Sequence, residues 1–259
     1  MWRSSLAAML VVGALGVPQV LAQEAEDGDK PAATEVKKGE IGDRAAPLEI
    51  AAWVKGDPVD LKEGRGKNIY VVEFWATWCP PCRTSIPHLT DLQKKFKDKG
   101  VVVIGITNED IGTVKPFVEK MGDRMDYVVA IDKDRATSAA YMQAFGQDGI
   151  PHAFIVNQEG LIIWQGHPMD KLDETLQRVV DGKYGPAEAK EAARKAAELE
   201  KRREALYEKG NEYITALTGE GGIEKARPIG DEFLKMARED HEMLNEFTWY
   251  LLTAPMFKE

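Results

Sequence analysis

The chain has 259 residues, 44% of them hydrophobic and 30% charged, with a formal net charge of −9. This is an ordinary soluble, globular composition, and the length holds one large domain or two modest ones. The acidic balance gives no support to nucleic-acid or anionic-membrane binding, both of which call for clustered Lys and Arg.

Residues 1–22 read as a signal peptide. Arg3 supplies a small positive region, Leu6 to Val17 an apolar run, and Val20-Leu21-Ala22 a small-residue cleavage pattern, with Pro18 just after the run. The alternative is an uncleaved N-terminal membrane anchor, but the run is shorter than the roughly 20 residues that span a bilayer. No Cys lies near Ala22 to carry a lipid. The chain is therefore expected to be exported, periplasmic or extracellular, and soluble from about Gln23. Residues 23–40 are rich in Ala, Glu, Asp and Lys without periodicity and read as a flexible linker.

Residues 41–185 read as one domain, with strands and helices alternating from Leu48 to Asp181. Leu48–Trp53 and Val59–Leu61 are expected to form a short hairpin around Gly56-Asp57-Pro58. Ile69–Ala76 is a continuous apolar run, as for a central strand covered on both faces. An amphipathic helix from Pro80 to about Lys99 ends at Gly100, and Val101–Thr107 is a second buried strand. Helices are expected over Thr113–Lys120 and Thr137–Phe145, on either side of a strand Tyr127–Ile131. Ala153–Val156 and Leu161–Gln165 form a hairpin across Asn157-Gln158-Glu159-Gly160, and a helix from about Asp170 to Val180 stops before Gly182.

After Gly185-Pro186 the character changes. Ala187 to about Lys209 is built from strong helix formers, with Gly210 as an interruption, and further helices are expected over Ile223–Arg238 and Glu242–Leu252. Residues 186–259 thus read as a small all-α appendage, its aromatics assigned to packing.

Two cysteines, Cys79 and Cys82, stand three positions apart. A structural staple normally closes a longer loop. A zinc site would need two further ligands, and there is no second CxxC or paired-His spacing, so no metal and no cofactor is expected. What remains is a redox pair. Cys79-Pro80-Pro81-Cys82 follows a buried strand and opens a helix, so Cys79 sits where unpaired N–H groups and the helix dipole favour a thiolate. Cys79 is the expected nucleophile. Cys82, one turn further in, is the resolving thiol. Pro80 suits the first helical position. Pro80 and Pro81 together remove two backbone donors, which should leave the Cys79 thiolate only moderately stabilised and favour a reducing role.

Glu73 interrupts the apolar run of a central strand. Buried carboxylates are rare and have raised pKa values, so Glu73 is singled out as a candidate functional acid. The plainer alternative is a strand-end Glu reaching solvent or a lysine. Arg83 reads as a solvated helix-face residue, the alternative being electrostatic support of the thiolate. His88, His152, His167 and His241 are given no catalytic role.

The segment Val72-Glu73-Phe74-Trp75-Ala76-Thr77-Trp78-Cys79-Pro80-Pro81-Cys82-Arg83 resembles the active-site segment of thioredoxin-like proteins, specifically the exported TlpA/ResA-like branch. The resemblance runs from about Ile41 to Asp181 and includes the Lys55–Pro58 turn, Pro87 and Gly149-Ile150-Pro151. It implies an α/β, thioredoxin-like fold, a central mixed β-sheet flanked by helices, here with a C-terminal all-α appendage. It also implies a cis Ile150–Pro151 bond opposite the cysteines, with the Ile150 backbone pairing with substrate and Pro151 keeping metals and wrong ligands off the thiols. Glu73 matches the family's buried acid behind the second cysteine, which implies that it accepts and returns the Cys82 proton. Trp75 and Trp78 match its flanking tryptophans, Trp78 being the better candidate for substrate contact.

The activity so implied is extracytoplasmic thiol–disulfide exchange, reducing client proteins, with a membrane thiol-transfer partner as electron donor. A disulfide oxidase or isomerase is the alternative within enzymes. A peroxidase is disfavoured because the Pro-x-x-x-Thr/Ser-x-x-Cys pattern is absent. From another class, the appendage could make the chain a partner-binding module.

Overall fold

A computed structural model describes residues 37–238 and 240–253. The expected signal peptide at 1–22 and most of the expected linker at 23–40 lie outside the described residues. Six strands make one sheet: β1 (Ile50–Lys55), β2 (Ile69–Phe74), β3 (Val101–Thr107), β4 (Val128–Asp132), β5 (His152–Val156) and β6 (Ile162–Gly166). Their spatial order is β1-β4-β3-β2-β5-β6. β2, β3 and β4 pair in parallel, β1 lies antiparallel to β4, and β5 lies antiparallel to both β2 and β6. This is a mixed, thioredoxin-like sheet.

Every residue of β2 is buried, as a central strand with both faces covered requires. Alternation then assigns its side chains to two layers. Ile69 and Val71 join a core under α1 (Pro80–Phe96), α2 (Ile111–Met121) and α4 (Leu172–Val180), through Cys82, Ile86, Leu89, Val114 and Leu176. Tyr70, Val72 and Phe74 face the opposite core with Tyr141 and Phe154. On that side α3 (Ala136–Ser138) runs directly into a π-helical turn, Ala139–Gln143, where a longer α-helix was expected. Asp132 accepts hydrogen bonds from the backbone N–H groups of Thr137 and Ser138 and so starts this segment.

The expected hairpin of Leu48–Trp53 with Val59–Leu61 does not form. β1 pairs instead with β4, placing Ile50 opposite Asp132 and Trp53 opposite Ala130. Pro58 has no N–H to give a ladder, and Asp60 Oδ1 accepts from the Lys62 N–H at 2.6 Å, turning the chain locally. The β5–β6 hairpin does form. Its turn is held by Asn157 Oδ1, which accepts from the backbone N–H groups of Glu159 and Leu161.

The C-terminal residues form three helices, α5 (Pro186–Thr218), α6 (Gly222–Met236) and α7 (His241–Thr253). Ala189, near the start of α5, packs into the core under α1. Further along, Leu206 forms a third, small core with Phe233, Ala237 and Phe247. Gly210 does not end α5. A Cβ there would lie 2.8 Å from Phe247 Cε2, so the glycine admits the aromatic ring. Among the described residues, no helix is long and apolar enough to cross a membrane.

Candidate active site

The C-terminal end of β2 delivers the chain to Cys79, which caps α1 in an extended conformation (φ −85°, ψ 108°). Pro80 and Pro81 occupy the first positions of the helix and have no N–H to offer. The Cys82 N–H is therefore the first donor available, and it points at Cys79 Sγ at 3.2 Å. The two sulfurs form a disulfide, their Cα atoms 5.3 Å apart. Cys79 is 3% exposed and Cys82 fully buried, which makes Cys79 the sulfur nearer to solvent.

The loop before β5 approaches from the other side. Its Ile150–Pro151 peptide is cis. Ile150 O lies 3.8 Å from Cys79 Sγ. A disulfide sulfur has no proton to donate, so this is a contact in the oxidised form. Pro151 is buried, and Ile150 is half-buried against both cores.

The two flanking tryptophans have different situations. Trp78 is 67% exposed beside Cys79. Trp75 is buried and stacks on Phe117, ring centroids 5.5 Å apart. Of these two, it is Trp78 that offers an apolar surface beside Cys79.

Glu73 lies in β2 on the face that carries Ile69, Val71 and Trp75, the face that α1 covers with Cys82. It is completely buried, and neither carboxylate oxygen has a hydrogen-bond partner. Burial pushes its pKa well above the usual carboxylate range. The strand-end Glu reaching solvent or a lysine is thereby excluded. Its cross-strand neighbours are Gly105 on β3 and Ala153 on β5, and these small residues leave room for the carboxyl group.

Glu109 and Gly105, which sequence reasoning passed over, and Arg83, which it read as a solvated residue, also shape the site. Glu109 accepts from both the N–H and the hydroxyl of Thr77, two residues before Cys79. Arg83 is not simply solvated: its Nε donates to Thr77 O at 2.6 Å, and its guanidinium lies 5.7 Å from the Phe117 ring centre. Gly105 was a readable signal, a lone glycine in the buried run Val101–Thr107, which often marks a close approach. Nothing in the sequence ties Glu109 to Thr77.

Among the histidines, His88 Nε2 lies 3.1 Å from Asp173 Oδ2, bracing α1 against α4. His152 Nε2 is 3.3 Å from Gln165 Oε1. Burial holds its pKa below the usual histidine value, against the opposing effect of that Gln165 contact. Among the described residues, no cluster of three His, Cys, Asp or Glu side chains could hold a metal.

A redox disulfide at a helix N-terminus, with a buried acid behind it and an exposed tryptophan beside it, can carry out thiol–disulfide exchange. Residues 41–165 match the AhpC/TSA family. The chain is 32% identical over 130 residues to "Thiol-disulfide oxidoreductase ResA" of Bacillus thuringiensis (strain Al Hakam), covering 50% of this chain and 70% of the relative. It is 28% identical over 119 residues to the ResA of Bacillus subtilis (strain 168), covering 46% and 63%. A solved thiol:disulfide interchange protein of Chlorobium tepidum TLS superposes with a TM-score of 0.46 at 29% identity, covering 57% of this chain and 100% of that one.

Proposed function

The chain belongs to the ResA family of thiol–disulfide oxidoreductases, and from that premise we propose that it reduces disulfides of client proteins outside the cytoplasm. The observation that carries the direction is the donor set of Cys79. Pro80 and Pro81 withhold two N–H groups, and the Cys82 N–H at 3.2 Å is the helix-end donor that remains. A thiolate with fewer donors is less stabilised, which makes the dithiol form the readier to give up electrons.

The reaction begins with attack of the Cys79 thiolate on a client disulfide. A Cys79–client disulfide forms, and the client's other sulfur leaves as thiolate. Glu73, as carboxylate, takes the proton of Cys82. The Cys82 thiolate attacks Cys79 Sγ, the Cys79–client bond breaks, and the client leaves with its second sulfur reduced. The protein is left with the Cys79–Cys82 disulfide. Two electrons from an external dithiol, supplied by a membrane thiol-transfer partner, restore it.

Trp78 docks the client beside Cys79, the Ile150 backbone pairs with the client strand, and Pro151 keeps competing ligands from the sulfurs. Trp75 closes the site from behind. The extracytoplasmic location is supported by the leader pattern of residues 1–22, and we assign 41–185 to the redox domain and 186–259 to the appendage.

Trapping tests the assignment of the two sulfurs. Cys82→Ser should accumulate a mixed disulfide with a model client on a non-reducing gel, and Cys79→Ser should not. Accumulation on Cys79→Ser alone would reverse the two roles.

A further inference from the structure

We propose that Tyr127 is a positioning residue for Glu73: its phenol donates, across one enclosed water, the hydrogen bond that holds the carboxylate in its proton-accepting form. This rests on the proton-acceptor role given to Glu73 above. The observation behind it is a coincidence of unpartnered polar atoms. Among the described residues, the buried side-chain atoms without a hydrogen-bond partner are both oxygens of Glu73, Trp75 Nε1, the Tyr127 hydroxyl and His88 Nε2. His88 Nε2 has the Asp173 carboxylate 3.1 Å away. All the others gather at one place.

That place is Gly105. It is the register partner of Glu73 across the parallel β2–β3 ladder, so its missing side chain would stand on the same face as the Glu73 carboxyl. A Cβ there would lie 3.0 Å from Tyr127 Cε2 and 3.1 Å from Trp75 Nε1. The hydroxyl-bearing end of the Tyr127 ring and the indole N–H thus occupy the space a side chain at 105 would take, beside the acid.

Buried polar groups normally find partners, and since no direct bond joins these three around Gly105, one enclosed water is the bridge by which they serve one another. The phenol and the indole N–H can both donate, and the carboxylate can only accept. The register partners of Glu73, Gly105 and Ala153, bring no charge, nor does Val129 beyond Gly105 on β4, and α1 brings Cys82 and Ile86 into the core on that face. Only Tyr127 and the reduced Cys82 are titratable among them. Burial first, and then the charge of Glu73, push the Tyr127 phenol well above its ordinary pKa.

The sign follows from the donor role. A donor to the charged form favours it, so the phenol opposes the effect of burial on Glu73. Tyr127→Phe removes the hydroxyl, keeps the ring and its packing, and should make Glu73 a carboxylate only at higher pH.

The test is stopped-flow reaction of the reduced protein with an aromatic disulfide whose released thiolate is coloured. The first release reports attack by Cys79, the second resolution by Cys82. Tyr127→Phe should leave the first release unchanged and move the pH midpoint of the second to alkaline by about one to two units, the size of one charge-assisted hydrogen bond. Glu73→Gln should abolish that transition, and the double variant should match Glu73→Gln. A Tyr127→Phe midpoint equal to that of the parent, with the transition lost in Glu73→Gln, overturns the Tyr127 assignment alone. A parent-like transition in Glu73→Gln overturns the Glu73 role, and the Tyr127 assignment falls with it.

Discussion

Thr77 gives both its backbone N–H and its hydroxyl to a single carboxylate, that of Glu109, at 2.6 and 2.7 Å. With Arg83 Nε on the Thr77 carbonyl, the turn that presents Trp78 and Cys79 is held from the loop after β3 on one side and from α1 on the other. Glu109→Ala should lower stability by about 1–3 kcal/mol, because hydrogen bonds to an ionised group are lost and a half-buried N–H is left without its partner. Chemical denaturation measures this. Loosening the turn should also slow client reduction more than it changes the redox potential.

Glu73 should make stability depend on pH in a defined direction. Its folded pKa is raised by burial, so the folded state keeps a proton that the unfolded chain has already lost. Stability due to this group is therefore full below the unfolded value, about 4.3, and falls as pH rises from there towards the folded value. The slope is at most about 1.4 kcal/mol per pH unit for one proton. Denaturant midpoints followed across that window should flatten in Glu73→Gln, which cannot ionise.

Gly105→Ala should be costly despite the small change. The new methyl meets Tyr127 Cε2 at 3.0 Å and Trp75 Nε1 at 3.1 Å, and Trp75 is itself packed on Phe117. Overpacking of this kind costs about 1–3 kcal/mol. Displacement of the buried indole should appear as a change in tryptophan fluorescence in the native state.

Gly210→Val probes the appendage separately. A side chain at 210 would strike Phe247, which stacks on Phe233 with ring centres 4.4 Å apart. The substitution should open α6 and α7 to limited proteolysis while leaving the Cys79–Cys82 potential unchanged. A shifted potential would mean that the appendage is coupled to the redox site.

Much of this was legible before any coordinates. The Cys79-Pro80-Pro81-Cys82 run announces its place because a buried strand must end and a helix begin around it, and the apolar run broken by Glu73 singles out the acid by the cost of burying it. The β5–β6 turn is written in Asn157 and Gly160. Less legible was the partner of β1, because an apolar hexapeptide does not say which strand it will meet; Asp60 and Pro58 decide against the local hairpin. Gly210 looked like a break in α5 when it is a seat for Phe247, a relation between residues 37 apart in sequence. The Thr77–Glu109 and Glu73–Tyr127 relations are also tertiary, created by the order in which β2, β3 and β4 lie side by side.

The claim that most needs a direct measurement is the reducing direction of the Cys79–Cys82 pair. Equilibration in glutathione redox buffers, followed by tryptophan fluorescence, gives its potential. The account predicts a value near the thioredoxin end, about −250 mV or lower. A value of about −120 to −180 mV, the range of strong oxidants and isomerases, would contradict it.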